Sequence, residues 1–247
     1  MDRLVHTSLS ALRGAMARQT ATANNLANAN TTGFRAEISS AQSLWLRGAG
    51  FEARAQSSQE VLAADMQQGA VSETGRDLDI ALEGDALLAV QARNGDEAYT
   101  RRGDLKLTDS GLMTTGDGHP VLGEGGPITL PPVDSMRIDR DGAIWIVPAG
   151  GDPNVSQQVD RLKLATPAGS QVLKGTDGLF RVPNDGILPA DPQARVTPRS
   201  LEGSNVQVTT ALIDMIEAGR AWDTQLKLIS TANEIDTSAA DLMRLPS

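Results

Sequence analysis

The sequence predicts an α+β protein, in which N- and C-terminal α-helices pair as a coiled-coil-like layer and the centre is an antiparallel β-rich domain. Near both ends, apolar residues recur at alternating steps of four and three, the spacing of helices with a narrow apolar seam. Between the ends the period falls to two and Gly and Asp turns become frequent. Because no helical pattern separates these short strands, we expect them to pair antiparallel.

Residues 1–35 are predicted to form the N-terminal amphipathic helix. Its seam is interrupted only by Gln19 and, continued by one step, arrives at an asparagine. A helix with so narrow a seam does not bury its apolar stripe alone, and therefore needs a partner helix. The seam residues that we expect in the interface are Val5, Leu9, Leu12, Met16 and Leu26.

Four asparagines crowd the end of this helix: Asn24, Asn25, Asn28 and Asn30. Asn is a poor residue for a helix interior because its amide competes for nearby backbone groups. Thr31-Thr32-Gly33 then reads as a stop signal. We interpret the amides as polar positions that fix the register of helix packing, since a slipped neighbour would leave them unsatisfied. The alternative is that they are surface amides near a fraying helix end.

The middle of the chain divides into three predicted regions. Residues 36–70 have weak periodicity and are expected to be an extended connecting segment, residues 71–182 form the β-rich domain, and residues 183–203 are a Pro-rich extended return segment. Strands are predicted within residues 78–82, 86–90, 104–108, 161–165 and 179–182. Residues 137–146 are predicted to be a hairpin, because Asp141-Gly142 suits a tight primed turn.

Residues 204–247 are predicted to form the C-terminal amphipathic helix. Ser204 and Gln207 have the spacing of a capping box at its start, and Gly219 on the seam would let a partner backbone approach closely. The seam residues expected in the interface are Leu212, Met215, Gly219, Trp222, Leu226, Ile229 and Asn233.

Charge is distributed so that the two ends complement each other. Residues 1–35 hold four Arg against one Asp, whereas residues 201–247 hold seven acidic and three basic residues. Opposite charge favours pairing between the ends, in one chain or between neighbours.

Composition argues against several classes of function. The chain has no Cys, which excludes disulfides and thiolate metal sites, and its net charge of −9 argues against a nucleic-acid or anionic-membrane surface. His6 and His119 are isolated, so neither a nucleophile–base pair nor a metal site is indicated. We predict no enzyme, cofactor, small-molecule substrate, nucleic-acid partner or membrane span. The acid-poor N-terminus also fits a transit peptide, but a discarded presequence would need neither clustered Asn nor a partner helix.

Three stretches resemble the family of flagellar rod and hook proteins. "ANNLANANTTGFR" matches the family's N-terminal signature, in which Asn24, Asn25, Asn28 and Gly33 supply elements of the pattern. "LDIALEGDALLAV" resembles its strand segment, although Ala86-Leu87-Leu88 stands where the family has a small-aromatic-aromatic run. "GSNVQVTTALIDMIEAGRAWDTQLKLISTANEI" resembles its C-terminal helix. The three follow the family's order and span most of the chain.

The resemblance implies a structural subunit of the rod, the drive shaft that crosses the periplasm, needed for motility. It implies assembly with copies of itself and other rod proteins, and delivery by the flagellar type III export apparatus without a cleaved signal peptide. In the family, terminal helices of many copies form an inner tube and the β-domain lies outside it. The opening residues and modest length are most similar to a proximal rod subunit, with a distal rod subunit as the alternative.

Two other functions stay open at this point. A cell-wall carbohydrate-binding or carbohydrate-processing β-domain with oligomerising helices would, as an enzyme, need a cleft with paired carboxylates. A self-contained coiled-coil oligomer with β-heads would form a discrete small assembly.

Overall fold

The computed structural model describes residues 2–45, 55–152 and 155–243. The chain divides into two compact units. The helical unit comprises Met1–Ala27, Glu37–Ala63 and Gln207–Ser247, and the β unit comprises Asn28–Ala36 and Ala64–Val206. The α+β class with antiparallel sheets in the middle of the chain is confirmed.

The helical unit contains two long helices and a pair of strands. Helix α1 spans Asp2–Ala27 and helix α2 spans Val208–Met243. Strands β1 (Glu37–Trp45) and β2 (Ala55–Ala64) pair in a two-stranded sheet. Helix α1 packs against both α2 and β1. Residues 36–70 were expected to be an extended connecting segment, and they contain these two paired strands.

Helix α1 ends at Ala27, eight residues before the predicted boundary at residue 35. The chain turns at Asn28, whose carbonyl accepts a hydrogen bond from the Thr31 amide at 3.0 Å and whose side-chain oxygen accepts one from the Thr31 hydroxyl at 3.1 Å. Gly33 then adopts a left-handed φ of +67°, which a helix does not permit. The second half of the asparagine-rich segment therefore belongs to the β unit rather than to the helix.

The predicted capping box at the start of the second helix is wrong. The Ser204 hydroxyl accepts from the Val206 amide at 3.2 Å, and the first helical hydrogen bond runs from the Ala211 amide to the Gln207 carbonyl at 2.9 Å. The cause lies in Asn205, whose side-chain oxygen accepts from the Ala36 amide at 2.7 Å and whose amide donates to the carbonyl of Asp65 at 2.9 Å. These bonds keep the chain before Gln207 extended.

The β unit is built from short strands, each of which pairs antiparallel with its neighbours. In chain order they are β3 (Val71–Glu73), β4 (Ile80–Leu82), β5 (Leu87–Gln91), β6 (Glu97–Thr100), β7 (Leu105–Leu107), β8 (Met113–Thr115), β9 (Leu122–Gly123), β10 (Gly126–Pro127), β11 (Val133–Ile138), β12 (Ala143–Pro148), β13 (Gln157–Arg161), β14 (Leu164–Ala165), β15 (Leu173–Lys174), β16 (Phe180–Arg181), β17 (Val196–Pro198) and β18 (Ser200–Glu202).

The largest sheet of the β unit has the order β14-β5-β6-β16-β15, and a second has the order β11-β12-β13. Four pairs complete the unit: β3 with β18, β4 with β17, β7 with β8, and β9 with β10. The predicted hairpin is formed by β11 and β12, but the predicted tight primed turn is wrong: four residues join the strands, and Gly142 has a left-handed φ of +80° whereas Asp141 does not. The return segment is not extended throughout, because Pro183–Asp185 forms one 3-10 turn before β17 and β18.

Strand β5 separates two apolar clusters of the β unit. Leu88 and Val90 point into the larger cluster, whereas Leu87 and Ala89 pack with Phe180 in the smaller one. All four residues are buried because side chains alternate between the faces of a strand and both faces are covered. The predicted buried strand at residues 86–90 thus corresponds to β5, displaced by one residue.

Candidate assembly surface

Among the helix residues whose side chains the structure describes, the buried ones are small. In α1 they are Ser10, Gly14, Ala15 and Ala21, and in α2 they are Ala211 and Ala218, seven residues apart. Short side chains allow two helix axes to approach closely. The helices therefore pack through a small-residue face, and the bulkier seam residues are not its centre.

Several of the predicted seam residues face outward. Leu9, Met16, Leu212 and Leu226 are exposed, with fractions of 59% for Met16 and 45% for Leu226, and Asn233 is exposed as well. Leu12, Leu26, Met215, Gly219, Trp222 and Ile229 are half-buried. Val5 lies in α1, but its side chain falls outside what the structure describes. Within the described part of the helical unit, this apolar surface is therefore only partly covered.

Helix α2 carries further exposed apolar side chains that the heptad analysis left out. They are Ile213, Ile216, Leu228 and Ile235, each more than half exposed. A helix with apolar residues on several faces needs neighbours on several faces. The sequence could have indicated these further apolar faces, because these residues lie outside the single seam but are as large and apolar as the residues within it.

Gly219 does not serve a close approach within the described part of the chain. Among the described residues, nothing lies within 4 Å of the position that a Cβ atom on Gly219 would take. If this glycine admits another backbone, that backbone comes from a neighbour.

The first two asparagines bind the start of β1. The Asn24 amide donates to Glu37 Oε1 at 2.6 Å. Asn25 forms a two-point contact with the backbone of the same residue, donating to its carbonyl at 3.0 Å and accepting from its amide at 2.8 Å. A side-chain amide that pairs in this way copies the pairing of a neighbouring strand. These asparagines therefore fix β1 against α1, while Asn30 is exposed.

Gly33 and Arg35 anchor the rest of the signature in the β unit. The Gly33 amide donates to the Glu202 carbonyl at 2.8 Å, and a Cβ on Gly33 would clash with the Arg101 carbonyl oxygen. Lys174 covers this segment, donating to the Arg35 carbonyl at 2.8 Å and lying 3.5 Å from the centre of the Phe34 ring. The glycine is needed both for its φ and for the close approach.

A buried ionic cluster lies beneath this segment, in which two cations share one carboxylate. Arg35 lies 2.6 Å from Glu202 Oε1, and Arg101 Nε donates to Glu202 Oε2 at 3.0 Å. All three side chains are at most 1% exposed. Burial, followed by the nearby Arg101 guanidinium, lowers the pKa of Arg35. The Glu202 carboxylate is important here, because its removal would leave two buried cations without the anion that both of them contact.

Arg101 and Glu202 also tie together distant parts of the chain. Arg101 donates to the carbonyls of Gly84 at 2.6 Å and Leu82 at 2.8 Å, and Glu202 Oε1 accepts from the Gly69 amide at 2.9 Å. The cluster thus joins the segment after α1, the segment after β2 and the segment before α2. Sequence reasoning missed both residues, since the contact that joins them spans 101 positions.

A cleft of about 440 Å³ lies on the helical unit. Ala218 and Ala221 contribute its apolar lining, and Arg18, Asp214 and Glu217 its charged lining. Within the described part of the chain, no group of three or more His, Cys, Asp or Glu could hold a metal ion, and none of the helices there is long and apolar enough to cross a membrane.

Three protein-family models match successive parts of the chain. Residues 6–35 match "Flagella basal body rod protein", residues 81–146 match "Flagellar hook protein FlgE/F/G D1 domain", and residues 197–242 match "Flagellar basal body rod FlgEFG protein C-terminal". The first match covers α1 with the asparagine-rich turn, and the last covers α2.

Individual proteins are similar over the full length. The flagellar basal-body rod protein FlgF of Salmonella typhimurium and that of Escherichia coli are each 38% identical over 251 residues, which is 99% of this chain and 100% of theirs. The flagellar basal-body rod protein FlgG of Bacillus subtilis is 29% identical, with 99% of this chain and 100% of that protein covered.

Proposed function

This chain belongs to the family of flagellar basal-body rod proteins, and we propose that it builds the rod through the outward faces of its two terminal helices. It is a structural component of the basal body that motility requires, and not an enzyme. The observation that carries the proposal is the exposure of large apolar side chains on both helices, above all Met16, Leu226 and Ile216. A monomer gains no stability from such residues, whereas a neighbour that covers them does.

The predicted interface residues divide into two roles under this proposal. The outward set meets neighbouring subunits; it consists of Leu9, Met16, Leu212, Leu226 and Asn233. The half-buried set borders the contact between α1 and α2 and closes around it when neighbours arrive, as expected of a coiled-coil-like layer; it consists of Leu12, Leu26, Met215, Gly219, Trp222 and Ile229.

The neighbours that we propose are copies of this chain and other rod proteins, at the proximal end of the rod. The proximal position is supported by the resemblance of the opening residues and by full-length similarity to proteins named FlgF. We further propose that the subunit reaches the periplasmic rod through the flagellar type III export apparatus, with its N-terminus uncleaved. In support, the N-terminal helix α1 is part of the proposed interface.

Replacing Leu226 by Asp tests the proposal. The substitution puts a charge on an outward face of α2, so we expect loss of swimming and absence of the chain from purified basal bodies. Ile187→Asp is the matched control, because Ile187 is an exposed apolar residue of the β unit. The control should incorporate normally, and circular dichroism should show that both variants fold. Normal swimming of the Leu226 variant would refute the proposal.

A further inference from the structure

We infer that Arg35 holds a buried chloride ion inside the β unit, bound along the edge of the guanidinium group that carries Nε and Nη2. Neither of these two atoms has a hydrogen-bond partner among the residues that the structure describes, although the Arg35 side chain is fully buried. Buried charged groups in proteins are otherwise paired or hydrogen-bonded. The inference concerns an anion site and does not depend on the proposed function.

Arg101 shows how the same type of side chain is satisfied in the same cluster. Arg101 Nε and Nη2 both donate to Glu202 Oε2, and Nη1 and Nη2 also donate to backbone carbonyls at 2.6–2.8 Å. Arg35 is as deeply buried but uses only Nη1, which contacts Glu202 Oε1 and donates to the Gln67 carbonyl. The two arginines therefore differ by one complete edge of the guanidinium group.

The unpartnered edge of Arg35 has the geometry of an anion site. The N–H groups on Nε and Nη2 of a guanidinium point in parallel, and this fork binds anions through two hydrogen bonds. The acceptor must be small, because Arg35, Arg101 and Glu202 are each at most 1% exposed. A monatomic anion that accepts both hydrogen bonds meets these conditions, and chloride is the common one in solution.

The charges around Arg35 favour an anion over a water molecule. Arg35 and Arg101 share the carboxylate of Glu202, and the Lys174 ammonium donates to the Arg35 carbonyl at 2.8 Å. Burial, followed by Arg101, lowers the pKa of Arg35, although Glu202 and Asp65 act in the opposite direction. A water molecule would satisfy the two donors but leave the excess of positive charge, whereas chloride reduces it.

Asp65 is the acidic residue of the β unit that could compete for this edge. Its carboxylate accepts a hydrogen bond from the Gln67 amide at 2.9 Å, and the ion pair of Arg35 is with Glu202 and not with Asp65. The backbone of Asp65 is held as well, because its amide donates to the Ala36 carbonyl at 2.8 Å. The anion therefore comes from solution and is taken up as the chain folds.

Urea unfolding of the full chain, followed by tryptophan fluorescence, tests the site without any substitution. Sodium chloride is exchanged for sodium gluconate at constant ionic strength, so that the screening of other charges stays the same, and gluconate is too large to enter the closed site. The unfolding equilibrium constant should fall by the factor 1 + [chloride]/Kd, at least about three-fold between roughly 20 and 200 mM chloride. Equal urea midpoints in the two salts would mean that Arg35 binds no chloride.

Substitution locates the chloride effect at Arg35. Arg35→Lys should abolish the response to chloride, because Lys keeps the charge but lacks the guanidinium fork. Arg93→Lys is the matched control, since Arg93 is an exposed arginine of the β unit, and it should keep the full response. An equal response in the two variants would assign the chloride effect to another site and overturn the inference.

Anomalous X-ray diffraction gives a second readout that does not require the Arg35 variant to fold. Crystals of the unmodified chain grown in sodium bromide should show an anomalous peak within hydrogen-bonding distance of Arg35 Nε and Nη2. Peaks at exposed side chains alone, with none at this edge of Arg35, would refute the site.

Discussion

Gly33 shows how a single residue of the signature acts. Its left-handed φ would strain any side chain, and the Arg101 carbonyl occupies the space that a Cβ would need. Gly75 has a similar φ of +75° but nothing within 4 Å of a Cβ position among the described residues. The two glycines therefore share a left-handed φ that would strain a larger residue, and they differ in the steric conflict that a Cβ would meet.

Substitution of these two glycines by Ala separates the two effects. Gly75→Ala should lower the free energy of unfolding by about 1–2 kcal/mol, the cost of left-handed backbone. Gly33→Ala should cost about 1–3 kcal/mol more, because the Arg101 carbonyl must move. Urea unfolding of the full chain, followed by circular dichroism, measures both. Equal losses would mean that the Arg101 contact does not constrain Gly33.

Residue types indicated part of this arrangement. The excess of Asn and the Thr-Thr-Gly stop both indicate that the helix is interrupted in this segment. In the structure α1 does end there, at Ala27. Their partners could not be predicted, since Glu37, Arg101 and Glu202 are placed by the tertiary fold. The amides were expected to fix register between subunits, whereas Asn24 and Asn25 bind Glu37 of their own chain.

At the scale of the secondary-structure elements, periodicity predicted both helices but not which face of α2 packs against α1. The heptad of large residues in α2 passes through Leu212 and Gly219, whereas the buried positions are Ala211 and Ala218. A shift of one residue rotates the face by about 100°. The apolar pattern predicts which residues are buried, but not which partner buries them. A seam of large residues can therefore correspond to contacts with other subunits.

Enlarging a side chain in the small-residue face should separate α1 from α2. Ala218→Leu adds three carbon atoms at a site that is 7% exposed, and overpacking of this kind costs about 1–3 kcal/mol. Thr224→Leu is the control, since Thr224 is exposed on the same helix. Thermal unfolding monitored at 222 nm should show a lower midpoint for Ala218→Leu only. A midpoint unchanged from that of the original chain would place α1 elsewhere.

At the scale of the whole molecule, the packed core of large residues lies in the β unit, whereas most of the exposed large apolar residues that the structure describes lie in the helical unit. The β unit buries its large apolar residues in two clusters. The helical unit instead buries Ala, Gly and Ser and exposes Leu, Ile and Met. Composition and pattern could predict this difference between the two units, because helices with uncovered apolar faces require partners. They could not assign residues 28–36 to the β unit, which depends on long-range contacts.

Thiol labelling of a single introduced cysteine tests the central claim most directly. In the free chain, the thiol of Leu226→Cys should react rapidly and that of Ala218→Cys slowly, since the two positions are 45% and 7% exposed. In purified basal bodies, the account predicts that the thiol at position 226 becomes as protected as the one at position 218. Equal reactivity of position 226 in the free chain and in the basal body would contradict the claim that the outward faces of the helices build the rod.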